Sequence, residues 1–297
     1  MCFNILIKNP PPMKITKCYN CNSEKHSFYA EENGYILVKC DLCSLLFVEN
    51  RPDDTDISHM HEQGKHLGDE KLNVTGRFNK SKISEYLPIL EDLFKGDKGG
   101  KKTWLDVGCG HGEFMIAVQK YFSGKITVRG TEPNEYKQRS AQRRGLDVTY
   151  FDLANHEEKY DVISLLNVYS HLPDPPAFLK TLKRLLNPNG EIILQTGDTA
   201  ELDAKDHLRP FYLPNHLSFA SESIVVGILE RTDFEVLKIK KYSGLKYSFM
   251  KIGKEVVKLF MSGYKSKLLY YLKIKPYSHT TMFIRAKNLT VDTRKTA

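Results

Sequence analysis

Thr103-Trp104-Leu105-Asp106-Val107-Gly108-Cys109-Gly110-His111-Gly112-Glu113-Phe114 is the stretch on which the fold turns. A short apolar run ends in a carboxylate, three glycines follow at alternate positions, and the amphipathic run Phe114-Met115-Ile116-Ala117-Val118 begins. This pattern predicts a buried strand, a tight turn and the start of a helix. Glycine at such a turn lets a ligand approach the backbone, and positive φ is cheap only for glycine. The first N–H groups of the helix face the turn and favour a polar ligand there. Alone, a Gly-x-Gly-x-Gly turn also fits a generic strand-to-helix connection.

Two further features narrow the reading. A dinucleotide fingerprint wants glycine where this chain has Glu113, so a pyrophosphate site is disfavoured. The next expected strand, Lys125 to Gly130, runs into Thr131-Glu132-Pro133-Asn134. A carboxylate at that strand end, about twenty residues past the glycines, is placed to accept hydrogen bonds from both ribose hydroxyls of a nucleoside. These segments resemble the first two motifs of the class I S-adenosylmethionine-dependent methyltransferases. The resemblance implies that Asp106, Gly108, Gly110 and Gly112 line the methionine end of the cofactor and that Glu132 holds its ribose. It also implies a Rossmann-like, doubly wound α/β fold with a mostly parallel seven-stranded sheet and an antiparallel last strand.

The strands that fill this frame are readable in order. Val148 to Phe151 is the third, followed by Asp152; in the resembled family this position meets the adenine, which makes Phe151 and Asp152 the candidates. Tyr160 to Leu166 is almost continuously apolar, as expected for a strand buried on both faces. Its end delivers Asn167-Val168-Tyr169-Ser170-His171-Leu172-Pro173-Asp174-Pro175. Ligands in open α/β sheets sit beyond the carboxyl ends of the strands, so Asn167 is expected at the cofactor and this loop at the transferred methyl. A helix over Ala177 to Leu186, a strand over Glu191 to Thr196, a helix capped by Ser221, and strands over Phe234 to Ile239 and Thr280 to Ala286 complete the pattern.

Ahead of this core, Cys18-x2-Cys21 and Cys40-x2-Cys43 are separated by eighteen residues, the spacing of a four-thiolate zinc ribbon. Two disulfides are the rival reading. Met1 to Lys8 has neither a charged start nor a cleavage site, so a secretory signal is not expected and a reducing, cytoplasmic setting is preferred. A closed four-thiolate shell has no open position, which makes the metal structural. The expected organisation is a ribbon over 14–50, a linker and covering helix over 51–99, and a methyltransferase domain over 100–290. Within 51–75, His59, His61 and His66 read as a solvated or substrate-facing loop rather than a metal site.

The 297 residues carry a formal charge of +8, which suits phosphates, nucleic acid or an anionic membrane surface without choosing among them. Much of the excess lies in 246–275, where apolar residues alternate with lysines. That segment reads as a basic amphipathic helical insertion, either a lid or a peripheral membrane contact. No apolar run reaches the roughly twenty residues needed to span a bilayer.

A sulfonium methyl is already activated, so the protein supplies approach geometry and, for a hydroxyl acceptor, a proton sink. Neutral imidazole suits that task. His171 is the first candidate base and His216 the second; the structural alternatives are a loop hydrogen bond for His171 and a helix cap for His216. The cysteine module and the His-Leu-Pro-Asp-Pro loop together resemble zinc-ribbon methyltransferases of sugar and polysaccharide biosynthesis. This resemblance implies a sugar, glycan or small-metabolite hydroxyl as acceptor. Zinc-ribbon RNA methyltransferases are the alternative, although the ribbon is not strongly basic and no aromatic–basic stacking platform is visible. A degenerate, non-catalytic scaffold is a third reading, opposed by the intact glycines and Glu132.

Overall fold

The computed structural model describes residues 13–66, 69–73, 76–96, 99–207, 209–243 and 280–289. The expected basic helices at 246–275 lie outside them. The chain opens with β1 (Met13–Lys14), then β2 (His26–Glu32), β3 (Tyr35–Cys40), β4 (Leu46–Val48) and β5 (Asn50–Arg51). Asn33 and Gly34 both take positive φ, 56° and 78°, and close the β2–β3 hairpin. Such a turn matches the right-handed twist of the strands it joins.

Residues 51–75, expected as loop, contain helix α1 (Asp54–Gln63) and a short hairpin of β6 (Lys65–His66) and β7 (Asp69–Asn73). The Asp53 carboxylate accepts the Asp56 N–H at one end of α1, and Gly64 ends it in the left-handed region. Only Ile57 and Met60 are buried along it, too sparse an apolar face to show as periodicity. Helix α2 (Lys80–Phe94), started by Asn79, buries Ile83, Leu90, Leu93 and Phe94 as its apolar spacing predicts.

Then come β8 (Thr103–Val107), α3 (Glu113–Tyr121), β9 (Thr127–Thr131), α4 (Glu135–Gln142), β10 (Asp147–Thr149) and β11 (Tyr160–Leu166). A 3-10 turn over Tyr169–His171 leads to α5 (Pro175–Arg184) and β12 (Leu186–Gly197). The chain closes through β13 (Ser218–Phe219), α6 (Glu222–Arg231), β14 (Phe234–Ser243) and β15 (Thr280–Asn288). The main sheet has the order β10-β9-β8-β11-β12-β15-β14, with β15 antiparallel to both neighbours and β8 through β12 parallel. This is the expected seven-stranded α/β sheet. Its order reverses between β8 and β11, which opens a crevice at their carboxyl ends.

Alternate residues of the central strands face two apolar layers. Trp104, Val162, Ile193 and Phe283 point toward α2 and α3, where Trp104 meets Phe94, Phe114 and Phe122. Leu105, Val107, Ile163, Leu165, Ile192 and Leu194 point to the other layer, which also holds Cys18, Val38, Cys40, Leu45 and Phe47. The cysteine module therefore packs into the same apolar layer as the central strands. One four-stranded sheet, β13-β4-β3-β2, is built from both: Ser218 opposes Phe47 and Phe219 opposes Leu46. Ser221 stands at the N-cap of α6 as expected, but the cap bond comes from Asp198, whose Oδ1 accepts the Glu222 N–H at 3.0 Å. Among the described residues no helix is long and apolar enough to cross a membrane.

Candidate functional site

A cavity of about 490 Å³ opens at the carboxyl ends of β8, β9, β10 and β11. Gly108, Glu132, Phe151, Asp152, Asn167 and His171, six residues singled out in the sequence, line it together. Asp106, Gly110, Gly112 and His216 are not among its lining residues and sit behind or beside them.

Each is held for a physical reason. Gly108, at φ 66°, passes under Val168; a Cβ there would lie 2.7 Å from Val168 Cγ2. Gly112, at φ 86°, lets α3 start against Leu146, whose Cδ1 would lie 2.1 Å from an added Cβ. Gly110, at φ 59°, has nothing within 4 Å of the same position, so its missing side chain leaves open space rather than relieving a clash. Glu132 is 3 % exposed. One carboxylate oxygen accepts the Gly110 N–H at 2.9 Å and the other the Asn134 N–H at 3.1 Å, and Lys137 Nζ stands 4.0 Å away. Two strand ends are thereby joined by one buried charge. An ionised carboxylate offers about four acceptor positions, so two N–H partners leave capacity for hydroxyls of a ligand.

Asp106 lies beneath the turn, 2 % exposed, and accepts the Ser164 O–H at 2.6 Å from the neighbouring strand. Ser164 in turn accepts the Trp104 indole N–H at 2.8 Å. Burial raises the Asp106 carboxyl to about 7, and the Glu132 charge adds to that, against the lowering effect of Ser164. Phe151 stacks on His156 at 4.2 Å between centroids, with the Arg129 guanidinium 5.2 Å from its own centroid. Asp152 uses its oxygens locally, accepting from the Ala154 N–H at 2.9 Å and the Asn155 side chain at 2.6 Å. Asn167 takes φ 58° at the end of β11, and its N–H donates to Gln195 O at 3.2 Å.

On the opposite side of the cavity His171 donates Nδ1–H to the carbonyl of Asn215 at 2.6 Å. Its ring stands 4.8 Å from that of His216 and 5.8 Å from that of His61. His216 donates Nδ1–H to Phe211 O at 2.8 Å, lies against Tyr212 and Phe219, and supports His171 from outside the cavity. The Asp174-Pro175 pair begins α5: the Asp174 side chain accepts the Ala177 N–H at 3.0 Å and Pro175 occupies the first helical turn.

Lys137, Tyr150 and Asn215 line the cavity without having been singled out in the sequence, and His61 lines it from the segment expected as a solvated or substrate-facing loop. His61 reaches the cavity because α1 is latched to the Glu132 loop: Asn134 Nδ2 donates to Glu62 O at 2.8 Å, while Asn134 Oδ1 caps α4. The Asp53 and Gly64 helix signals around His61 were the usable clue. Asn215 contributes a main-chain carbonyl, for which a sequence carries no signal.

At the N-terminal end the sulfurs of Cys18, Cys21, Cys40 and Cys43 all lie within 4.8 Å of one another. The Cys18–Cys43 and Cys21–Cys40 separations are 3.5 Å. A tetrahedron of thiolates about 2.3 Å from zinc has edges of about 3.8 Å, so the donor set is compatible with that metal.

A family model described as a methyltransferase domain matches residues 77–239. The ubiquinone biosynthesis O-methyltransferase of Actinobacillus pleuropneumoniae is 35 % identical over 111 residues, 33 % of this chain and 46 % of that one. Its counterpart in Proteus mirabilis is 32 % identical over 106 residues, covering 33 % and 42 %. The chain thus spans under half the length of the curated relatives it matches. Among solved structures, coclaurine N-methyltransferase with bound N-methylheliamine and SAH superposes with a TM-score of 0.50 at 14 % identity, covering 74 % of this chain and 73 % of that one. The cyclase SpnF also gives 0.50, at 16 % identity over 76 % and 86 %. At such identities these likenesses show the fold alone.

Proposed function

The chain belongs to the methyltransferase-domain family, and from that premise we propose that it transfers a methyl group from S-adenosylmethionine to a hydroxyl of a sugar, glycan or other small metabolite. One observation carries the reading: Glu132 and His171 line the same cavity from beyond the carboxyl ends of two different strands, β9 and β11. Glu132 keeps acceptor capacity for the two ribose hydroxyls, the open face of Gly110 admits the methionine end, and Phe151 with Asp152 flanks the adenine. Asn167 closes the donor side at the end of β11. When bound, the donor supplies a sulfonium methyl that needs no further activation.

The remaining chemistry falls to this chain. With Nδ1–H committed to Asn215 O, neutral His171 carries its lone pair on Nε2. That nitrogen takes the acceptor's hydroxyl proton as the oxygen gains its methyl group. His216 and His61 hold the ring in place at its two sides. The curated relatives are named O-methyltransferases, which supports oxygen as the acceptor atom. Cys18, Cys21, Cys40 and Cys43 hold a structural zinc ion in this reading, well suited by their mutual distances.

Calorimetry with S-adenosylhomocysteine tests the donor half, with one site per chain expected; no heat of binding would sink it. Labelled methyl donor offered with nucleotide sugars, glycans and phenols tests the acceptor half. Label transferred to RNA in preference to all of these would overturn the small-molecule reading.

A further inference from the structure

The segment that orients His171 is anchored from outside the parallel sheet. Asn215, whose carbonyl accepts the His171 Nδ1–H, stands two residues before Leu217. Leu217 N–H donates to Ser170 O at 2.7 Å, and Leu217 O accepts the Val48 N–H at 3.0 Å. Immediately afterwards Ser218 and Phe219 pair with Phe47 and Leu46 of β4. Upstream, the Glu32 carboxylate accepts the Phe211 N–H at 2.8 Å and the Leu213 N–H at 3.0 Å, and Asn33 donates to Leu213 O at 2.9 Å. Residues 211–219 therefore touch His171 on one side and the cysteine module on the other.

The link closest to the sulfurs is Tyr19. It follows Cys18 directly, and its O–H donates to Ser218 Oγ at 3.0 Å, a serine only 1 % exposed. Cys18 is fully buried in the apolar layer that also contains Tyr169, the first residue of the turn bearing His171, and Tyr19 packs against that layer. The donor-side groups are tied elsewhere: Glu132 to Gly110, and Asn134 to Glu62 of α1.

We propose that Tyr19 is a positioning residue of the acceptor side, coupling the metal-loaded cysteine turn through Ser218 to the segment that sets the orientation and tautomer of His171. The inference rests on the reading of His171 as base and of the four cysteines as a zinc site. Phenylalanine would fill the same volume, so the hydroxyl is what this role requires. Losing it leaves a buried serine oxygen short of a donor, which costs more than an exposed bond would.

The test compares the whole 297-residue, zinc-loaded chain with Tyr19→Phe. Hydrogen exchange at the Val48 and Leu217 amides, the nitrogen NMR signals of the His171 ring, and S-adenosylhomocysteine affinity are measured on each. Tyr19→Phe should retain zinc and bind S-adenosylhomocysteine within about twofold of the original chain. Its amides should exchange about 3- to 10-fold faster, the loss of one ordinary hydrogen bond. The His171 signals should move from a single Nδ1–H tautomer toward a mixture, and EDTA treatment of the unsubstituted chain should shift both signals in the same direction and further, since it removes the metal as well as the link. Ser218→Ala serves as a second variant, with the same expectation. Unchanged exchange and an unchanged tautomer in both variants would overturn the proposal. These two readouts need neither donor nor acceptor, so a chain that fails to bind S-adenosylhomocysteine refutes the donor site without deciding this coupling.

Discussion

His171 and Asn215 are 44 residues apart in sequence and 2.6 Å apart in space, the imidazole Nδ1–H donating to the main-chain carbonyl. Because that carbonyl can only accept, the bond selects the tautomer and leaves basicity on Nε2. Replacing His171 with asparagine should lower methyl transfer by about 10²- to 10⁴-fold, the usual worth of a positioned general base. Affinity for S-adenosylhomocysteine should stay unchanged. Initial rates with labelled donor, beside calorimetry, check this; a parallel loss of donor affinity would move His171 to the donor side.

Glu132→Gln keeps the shape of the side chain but removes the charge that accepts from Gly110 and Asn134. Hydrogen bonds to a charged acceptor are worth about 1.5–3 kcal/mol. S-adenosylhomocysteine binding should therefore weaken by roughly 10- to 100-fold, measured by calorimetry. A change under twofold would remove Glu132 from the donor site.

The turn glycines should separate by mechanism. Gly112→Ala drives a methyl group into Leu146 at 2.1 Å and also holds alanine at φ 86°, so the fold should lose about 2–5 kcal/mol in urea unfolding. Gly110→Ala meets no neighbouring atom, so the cost to the fold is the left-handed backbone alone, about 1–2 kcal/mol. Its larger effect should be on donor affinity, because the added methyl occupies the open face. Equal donor affinity in Gly110→Ala and the unsubstituted chain would contradict that assignment.

Asp106 predicts a pH dependence with a definite sign. Burial raises its carboxyl from 3.8 to about 7 in the folded chain, so between those values the folded state holds a proton that the unfolded state has released. The contribution is fully present below pH 3.8 and is lost as pH rises through about 7. Across that window the loss is on the order of 4 kcal/mol. Asp106→Asn, which retains an oxygen for Ser164, should abolish this slope and gain on the original chain above pH 7. Urea midpoints from pH 4 to 8 give the comparison, and parallel curves would refute the buried-carboxyl argument.

Zinc should be found at about one per chain by metal analysis if the four thiols bind as their spacing suggests. Removing it with a chelator should cost several kcal/mol of stability, because metal binding and the folding of so small a module are one free energy. Cys18 and Cys40 share an apolar layer with β8, β11 and β12, so the melting temperature of the whole chain should fall, not only that of the first 50 residues. A chelated chain with an unchanged melting curve would leave the cysteines without a metal.

The glycine turn, the Glu132 position and the two cysteine pairs were legible because each depends on local chemistry at a short, characteristic spacing. Helix α1 was not, since two buried residues in ten make no period and its place is secured by a distant contact, Asn134 to Glu62. Asp106, expected at the ligand, accepts from Ser164 beneath the turn and is not among the residues lining the cavity. Its neighbours in the sequence look the same either way, because strand pairing alone decides which residue it faces.

From residues alone came the order of strands and helices, the strand-end location of the candidate site, and the carboxylate and imidazole that line it. These follow from periodicity, turn geometry and side-chain type, all of which act over a few residues. Tertiary structure alone decided that β4 would take β13 as a partner and that Asn215 would set the tautomer of His171. Each of those is a contact between main-chain groups or surfaces far apart in the chain. Main-chain N–H and C=O groups are nearly the same at every residue, so their partners are settled only when packing brings the strands together.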